Sequence, residues 1–198
     1  MGPVARAEKA KPGGAPGPMP PLTQTGAFAR GLTLVFSVPA AVLFATALGF
    51  GALARDGGFT LGHASFLSLG MFALPNQVVL VDQLARNETL TAAALAVTFT
   101  AIRLLPMTVT LAPLFRGTKP RWLLEVAAAH FIAITTWIEA NRRLPQLAPD
   151  LRAPYHLGNG VAVALAMLLG TIAGYTLVGG VPLAVAAALL LMNPLYFI

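Results

Sequence analysis

No cysteine occurs anywhere in the 198 residues. Disulfides, thiolate metal ligands and cysteine nucleophiles are thereby excluded. Charge is also scarce: Asp, Glu, Lys and Arg make up 10% of the chain, against roughly 25% in a soluble domain. Paired carboxylates, phosphate-binding glycine loops and serine nucleophile elbows are missing, so no enzymatic chemistry is expected. The three histidines, His63, His130 and His156, stand far apart with no second ligand at metal-binding spacing. No metal site and no cofactor are expected from them. His130 falls in the middle of an apolar segment, where it could relay a proton or be a satisfied structural histidine.

What is present is apolar. Hydrophobic residues make up 57% of the chain, and the mean hydropathy is +0.75. A soluble protein of this size could not hide so much apolar surface. The composition therefore predicts an all-α, polytopic membrane protein whose solvent is the lipid bilayer. The net charge of +6 does not signal nucleic acid, because the basic residues are spread over short loops without interleaved aromatics. In a membrane protein such residues set orientation.

Residues 1–26 are rich in Pro and Gly, carry Arg6, Lys9 and Lys11, and show no apolar period. They read as a disordered tail without the apolar core of a cleaved signal. The transmembrane domain is expected over 27–198. A hydrocarbon core about 30 Å thick needs about 20 apolar residues in a helix. That ruler gives six spans: 31–54 interrupted by Pro39, 61–84 interrupted at 74–77, 90–115 holding Arg103 and Pro106, 122–140, 157–178, and a last one from about Pro182 that is still apolar at Ile198 and looks cut off. Six crossings from a cytoplasmic amino terminus place eight Lys and Arg inside and four outside, as the positive-inside rule prefers. Gly170 and Gly174, in "GTIAG", form a small-residue face suited to close helix contact. A faint repeat relates the V-P-x-A-V openings at 38–42 and 181–185, a hint of the repeats from which small carriers are built.

Two features carry the functional reading. Arg103 lies near the middle of "TFTAIRLLPMTVTLAP", with Glu88 and Arg116 the nearest charges along the chain. An arginine at that depth costs about 2.5–3.5 kcal/mol and generally faces the bundle interior. Three roles are open to it: reaching an interface, bonding a neighbouring helix, or receiving an anionic group on a cargo. Asp82 has Arg86 one turn away, and Glu125 and Glu139 flank the fourth span, so no acid at mid-depth offers itself as counter-ion. The second feature is "ALPNQVV", in which Pro75 cannot donate a backbone hydrogen bond and must kink or break the helix. The carbonyls it frees, with Asn76 and Gln77, then need partners away from lipid. Arg103, Gln77, Asn76 and Pro75 are the candidate substrate-binding residues.

The order of these segments, from the "GAFARGLTLVFSVPAAVLFATALGFGALARDGGFTLGHASFLSLGMFALPNQVV" stretch onward, resembles the AzlC family, the large subunit of branched-chain amino acid exporters. The family's G-A-S-Q-like motif would fall on Leu74–Gln77, with Gln77 retained, and its N-x-R-H-like motif on Ala101–Leu104, with Arg103 retained. Its acidic motif would fall at 130–133, where this chain reads "HFIA" and lacks both acids. The resemblance implies an inner-membrane exporter of branched-chain or similar small amino acids, with a small hydrophobic AzlD-type partner subunit. The other reading of the residues is a non-transporting scaffold or assembly protein in which Arg103 is an interhelical strut.

Overall fold

The computed structural model describes residues 23–115, 122–177 and 188–191. Among them the chain is helical, with no strand. Expectations for 1–22, for the basic loop 116–121 and for most of the last span, Asn193-Pro194 included, lie outside the described residues. So does the second V-P-x-A-V opening.

α1 (Gln24–Leu32) starts inside the segment expected as tail, because Thr23 caps it by accepting from the Gly26 N–H. A 3-10 turn (Thr33–Phe36) and an extended Ser37 separate it from α2 (Val38–Asp56), where Ser37 is the N-cap and Pro39 sits in the first turn. A turn through Gly58, at φ +79, leads into α3 (Leu61–Gly70) and then α4 (Leu74–Ala85). α5 (Leu90–Ala101) and α6 (Leu104–Leu111) follow, bent by 43° at Arg103. α7 (Trp122–His130) and α8 (Ile134–Arg143) come next, and α9 runs unbroken from Pro149 to Leu177.

The prolines explain most of this punctuation. The first N–H groups of a helix have no intrahelical partner, so proline is harmless there and pre-set for the turn. Pro39, Pro75, Pro106 and Pro149 all lie within the first three residues of α2, α4, α6 and α9. They begin helices instead of kinking them. The break in the second expected span accordingly falls upstream of Pro75, at 71–73.

Two expectations need correction. The fourth span, read as continuous over 122–140, is broken at 131–133 without proline or glycine. Thr136 makes that break: its Oγ1 accepts from the Ala133 N–H at 2.9 Å and donates to the Phe131 carbonyl at 2.6 Å. The Phe131 ring meanwhile fills the notch left by Gly160 of α9, where any Cβ would overlap it. The fifth span begins at Pro149, not at 157, because residues read as loop are helical. Pro149 is the first helical residue, Asp150 complements the positive end, and Pro154 costs only the bond to a carbonyl in the first turn.

Among the described residues two unbroken helices, α2 and α9, are long and apolar enough to cross a membrane, and the bent α5–α6 pair is a third candidate. α3–α4 and α7–α8 are pairs of half-helices. α9 is the hub, packed on α1, α2 and α3. With lipid on the outside there is no hydrophobic drive between helices, so close backbone packing has to hold them. Glycine permits it. Gly31 of α1 and Gly158 of α9 face each other's backbone, at Tyr155 O and Asn159 N on one side and Phe28 O and Leu32 N on the other. Gly170 and Gly174 sit against the Phe44 and Leu48 carbonyls of α2, and Gly51 against the Thr171 carbonyl. Ser68 of α3 and Thr171 of α9 add a buried hydroxyl pair at 2.8 Å. Outward, α5 and α6 present Leu95, Phe99, Ile102, Leu105 and Val109, a face suited to acyl chains.

Candidate transport site

The three helix breaks converge. Phe72 to Pro75 from the α3–α4 break, Arg103 and Leu104 from the α5–α6 bend, and Ala133 to Thr135 from the α7–α8 break all line one cavity of about 770 Å³. Its back wall is formed by Leu43 and Thr46 of α2 and by Val163 and Met167 of α9. Most of these side chains are apolar. Small-molecule sites typically enclose about 300–1,000 Å³, with mostly apolar walls and a few convergent polar groups.

The breaks are held by side chains reaching across them. Gln77, fully buried in the first turn of α4, donates from Nε2 to the Met71 carbonyl. His130, at the end of α7, donates from Nε2 to the Leu69 carbonyl at 3.0 Å. Its ring also meets Phe72 and Phe131, whose own rings contact edge to face at 5.2 Å. The α3–α4 and α7–α8 breaks are thus stapled to one another. Thr136, like Gln77, is fully buried. Thr136→Val, which keeps the shape, should cost about 1–3 kcal/mol because two buried polar groups lose their partner. Thermal unfolding of the detergent-solubilised protein would show it as a lowered midpoint.

α4 and α8 begin after extended residues, Ala73 and Ala133, with no side-chain cap supplied by either. α6 has no side-chain cap either and follows a bend in which Arg103 keeps helical dihedrals. A helix N-terminus carries about half a positive charge on its free N–H groups. Two such ends and the guanidinium therefore border the same cavity.

The sequence-predicted residues divide. Arg103 and Pro75 line the cavity together. Asn76 and Gln77 do not line it; both are buried behind the wall, with Asn76 Oδ1 and Gln77 Oε1 lacking partners among the described residues. Arg103 is exposed in the isolated chain and has no ion-pair or hydrogen-bond partner among the described residues. The acids considered as its counter-ions are engaged or remote. Asp82 pairs with Arg86 at 3.0 Å. Glu139 pairs with Arg143 at 3.2 Å and accepts from the Tyr155 hydroxyl at 3.1 Å. Glu125 is exposed on α7.

Sequence reasoning missed Ala133 to Thr135 and the back wall of α2 and α9. "FIAITT" carries no proline or glycine to announce a break. The adjacent threonines were the only available signal, since hydroxyls at such positions compete with the helix for backbone groups. Among the described residues no cluster of His, Asp and Glu could hold a metal ion.

A family model described as "AzlC protein" matches residues 39–181, a stretch that contains α2 from its second residue, α3 to α9 and all three breaks. No curated protein and no solved structure matches the chain. The matched stretch covers well over half of the sequence, and the family is a transporter-type family associated with branched-chain amino acids. An all-α membrane protein with broken helices around a cavity, this chain belongs to the AzlC family.

Proposed function

We propose that the chain is the transporting subunit of a secondary transporter in the bacterial inner membrane, with a cytoplasmic amino terminus, exporting branched-chain or similar small amino acids. One observation carries this: three helix breaks meet on a single, largely apolar cavity with an arginine that has no partner among the described residues. Broken helices around a central site are how secondary carriers present backbone poles to cargo. Arg103 and the N-terminal ends of α4 and α8 suit a carboxylate. Leu43, Met107, Val163 and Met167 suit a branched aliphatic side chain. Pro75 contributes wall, while Gln77 ties the first turn of α4 to the Met71 carbonyl and Asn76 is buried beside it. Opening to either side would come from the half-helices rocking around the cargo. A small AzlD-type subunit would complete the transporter.

The test is efflux. Cells loaded with leucine by feeding a leucine dipeptide should clear it faster when they express the full chain together with the small companion subunit. Equal leucine retention with and without the two proteins would remove the proposal. Met107→Trp, which fills the cavity from its α6 wall, should slow efflux without lowering the amount of protein in the membrane. Immunodetection of membrane fractions beside the efflux assay separates the two effects.

A further inference from the structure

The polar groups around the cavity are asymmetric. At two of the breaks, three carbonyls are taken by the protein's own side chains. Leu69 O is held by His130, Met71 O by Gln77 and Phe131 O by Thr136. At the bend, Thr98 O is taken by the Ile102 N–H and Ile102 O by the Leu105 N–H. The donors are treated differently. Ala73 and Ala133 supply no side-chain cap to α4 and α8, Thr136 takes only the Ala133 N–H, and Arg103 has no partner among the described residues. Thr135, in the first turn of α8, lines the cavity at 7% exposure, and its Oγ1 has no hydrogen-bond partner among the described residues. Thr46, the other hydroxyl on the wall, is committed to the Val42 carbonyl at 2.8 Å. The leftover amide oxygens of Asn76 and Gln77 lie behind the wall and do not line the cavity.

Asp56, Asp82, Glu88, Glu125, Glu139 and Asp150 are the described acids, and none lines the cavity. An ammonium placed there would face a guanidinium and two positive helix ends, with no described carboxylate on the wall to pair with it. A carboxylate would find the Arg103 guanidinium and the first N–H groups of α8. We infer that the site recognises the carboxylate and the branched apolar chain of its cargo and not the ammonium, so that branched-chain α-keto acid anions are cargo of the same site. This rests on the transport reading above and narrows it. Thr135 is the specificity-determining hydroxyl, donating to the carboxylate beside the α8 N-terminus.

Binding of L-leucine, of its α-keto acid and of isoamylamine to the purified full chain in lipid nanodiscs, followed by isothermal titration, tests this. The keto acid should bind at least as tightly as leucine, and the amine should not compete with either. Thr135→Val should weaken both acids about tenfold, the loss of one hydrogen bond to a charged group. Thr135→Ser, which restores the hydroxyl, should recover most of that affinity. Leucine binding that excess keto acid leaves undisturbed would overturn the inference and leave the amino-acid reading standing. Binding of neither acid would overturn both. Competition by the amine, or unaltered affinities in Thr135→Val, would also count against it.

Discussion

Arg103→Ala should reduce cargo binding by roughly ten- to hundredfold, the equivalent of about 1.5–3 kcal/mol for a hydrogen bond to a charged group. Export should fall to background, while the amount of protein in the membrane stays level or rises. The second half of that expectation has its own physical basis. Placing an arginine at the centre of a span costs about 2.5–3.5 kcal/mol at insertion, and alanine removes the cost. Arg103 also has no protein partner among the described residues that its loss would leave stranded. A scaffold in which Arg103 were a strut predicts the opposite: reduced abundance or a lost complex, with nothing to measure in a cargo assay. Arg103→Lys refines the result. It keeps the charge but not the planar fork that grips a carboxylate with two parallel bonds, so it should recover only part of the affinity. Binding by titration calorimetry, run beside quantitative immunoblots of membrane fractions, reads both halves.

Gly158→Val should have the other large effect, on folding instead of binding. A Cβ at Gly158 would overlap the Phe28 carbonyl and press on the Leu32 nitrogen, both of them backbone atoms that cannot swing aside. Overpacking typically costs about 1–3 kcal/mol when neighbours can adjust. Here α1 has to move off α9 altogether, so we expect more than about 3 kcal/mol, within the range reserved for mutations of a specific steric cause. Gly31→Val on the facing helix should match it. Gly62→Ala is the control: in α3 its new Cβ meets nothing closer than the Thr60 Oγ1 at 3.7 Å, and alanine is the better helix former. Membrane abundance and the unfolding temperature in detergent should collapse for the first two variants and hold for the third.

Much of this was legible in the chain itself. The apolar composition dictated a helical membrane protein, and "GTIAG" announced the face that packs on α2. Pro75 and Pro106 marked two of the three breaks, and Arg103 stood out as the cation on the cavity wall. Other features were hidden for physical reasons. The α7–α8 break joins a local signal, the Thr136 hydroxyl, to a long-range fit, Phe131 into the space left by Gly160, and no local propensity encodes the second. The start of α9 was masked by Pro149 and Pro154, which read as loop residues until one sees that both fall near the beginning of a helix, where proline does little harm. Gln77 illustrates a third kind of difficulty. Its position was found, but the buried amide spends its proton on Met71, and only coordinates distinguish a residue facing a cavity from one bracing the wall behind it.

The glycine crossings have a mechanical consequence. Where main chain rests directly on main chain, α1, α2 and α9 have no compliant layer between them and cannot roll or slide without losing contact everywhere at once. On the transport reading proposed above they form the chassis, and gating would fall to the short segments α3 to α8. A covalent tie between α2 and α9 should therefore leave turnover untouched, whereas one joining α4 to α8 should freeze it. The natural absence of thiols makes this chain a clean background for installing such ties.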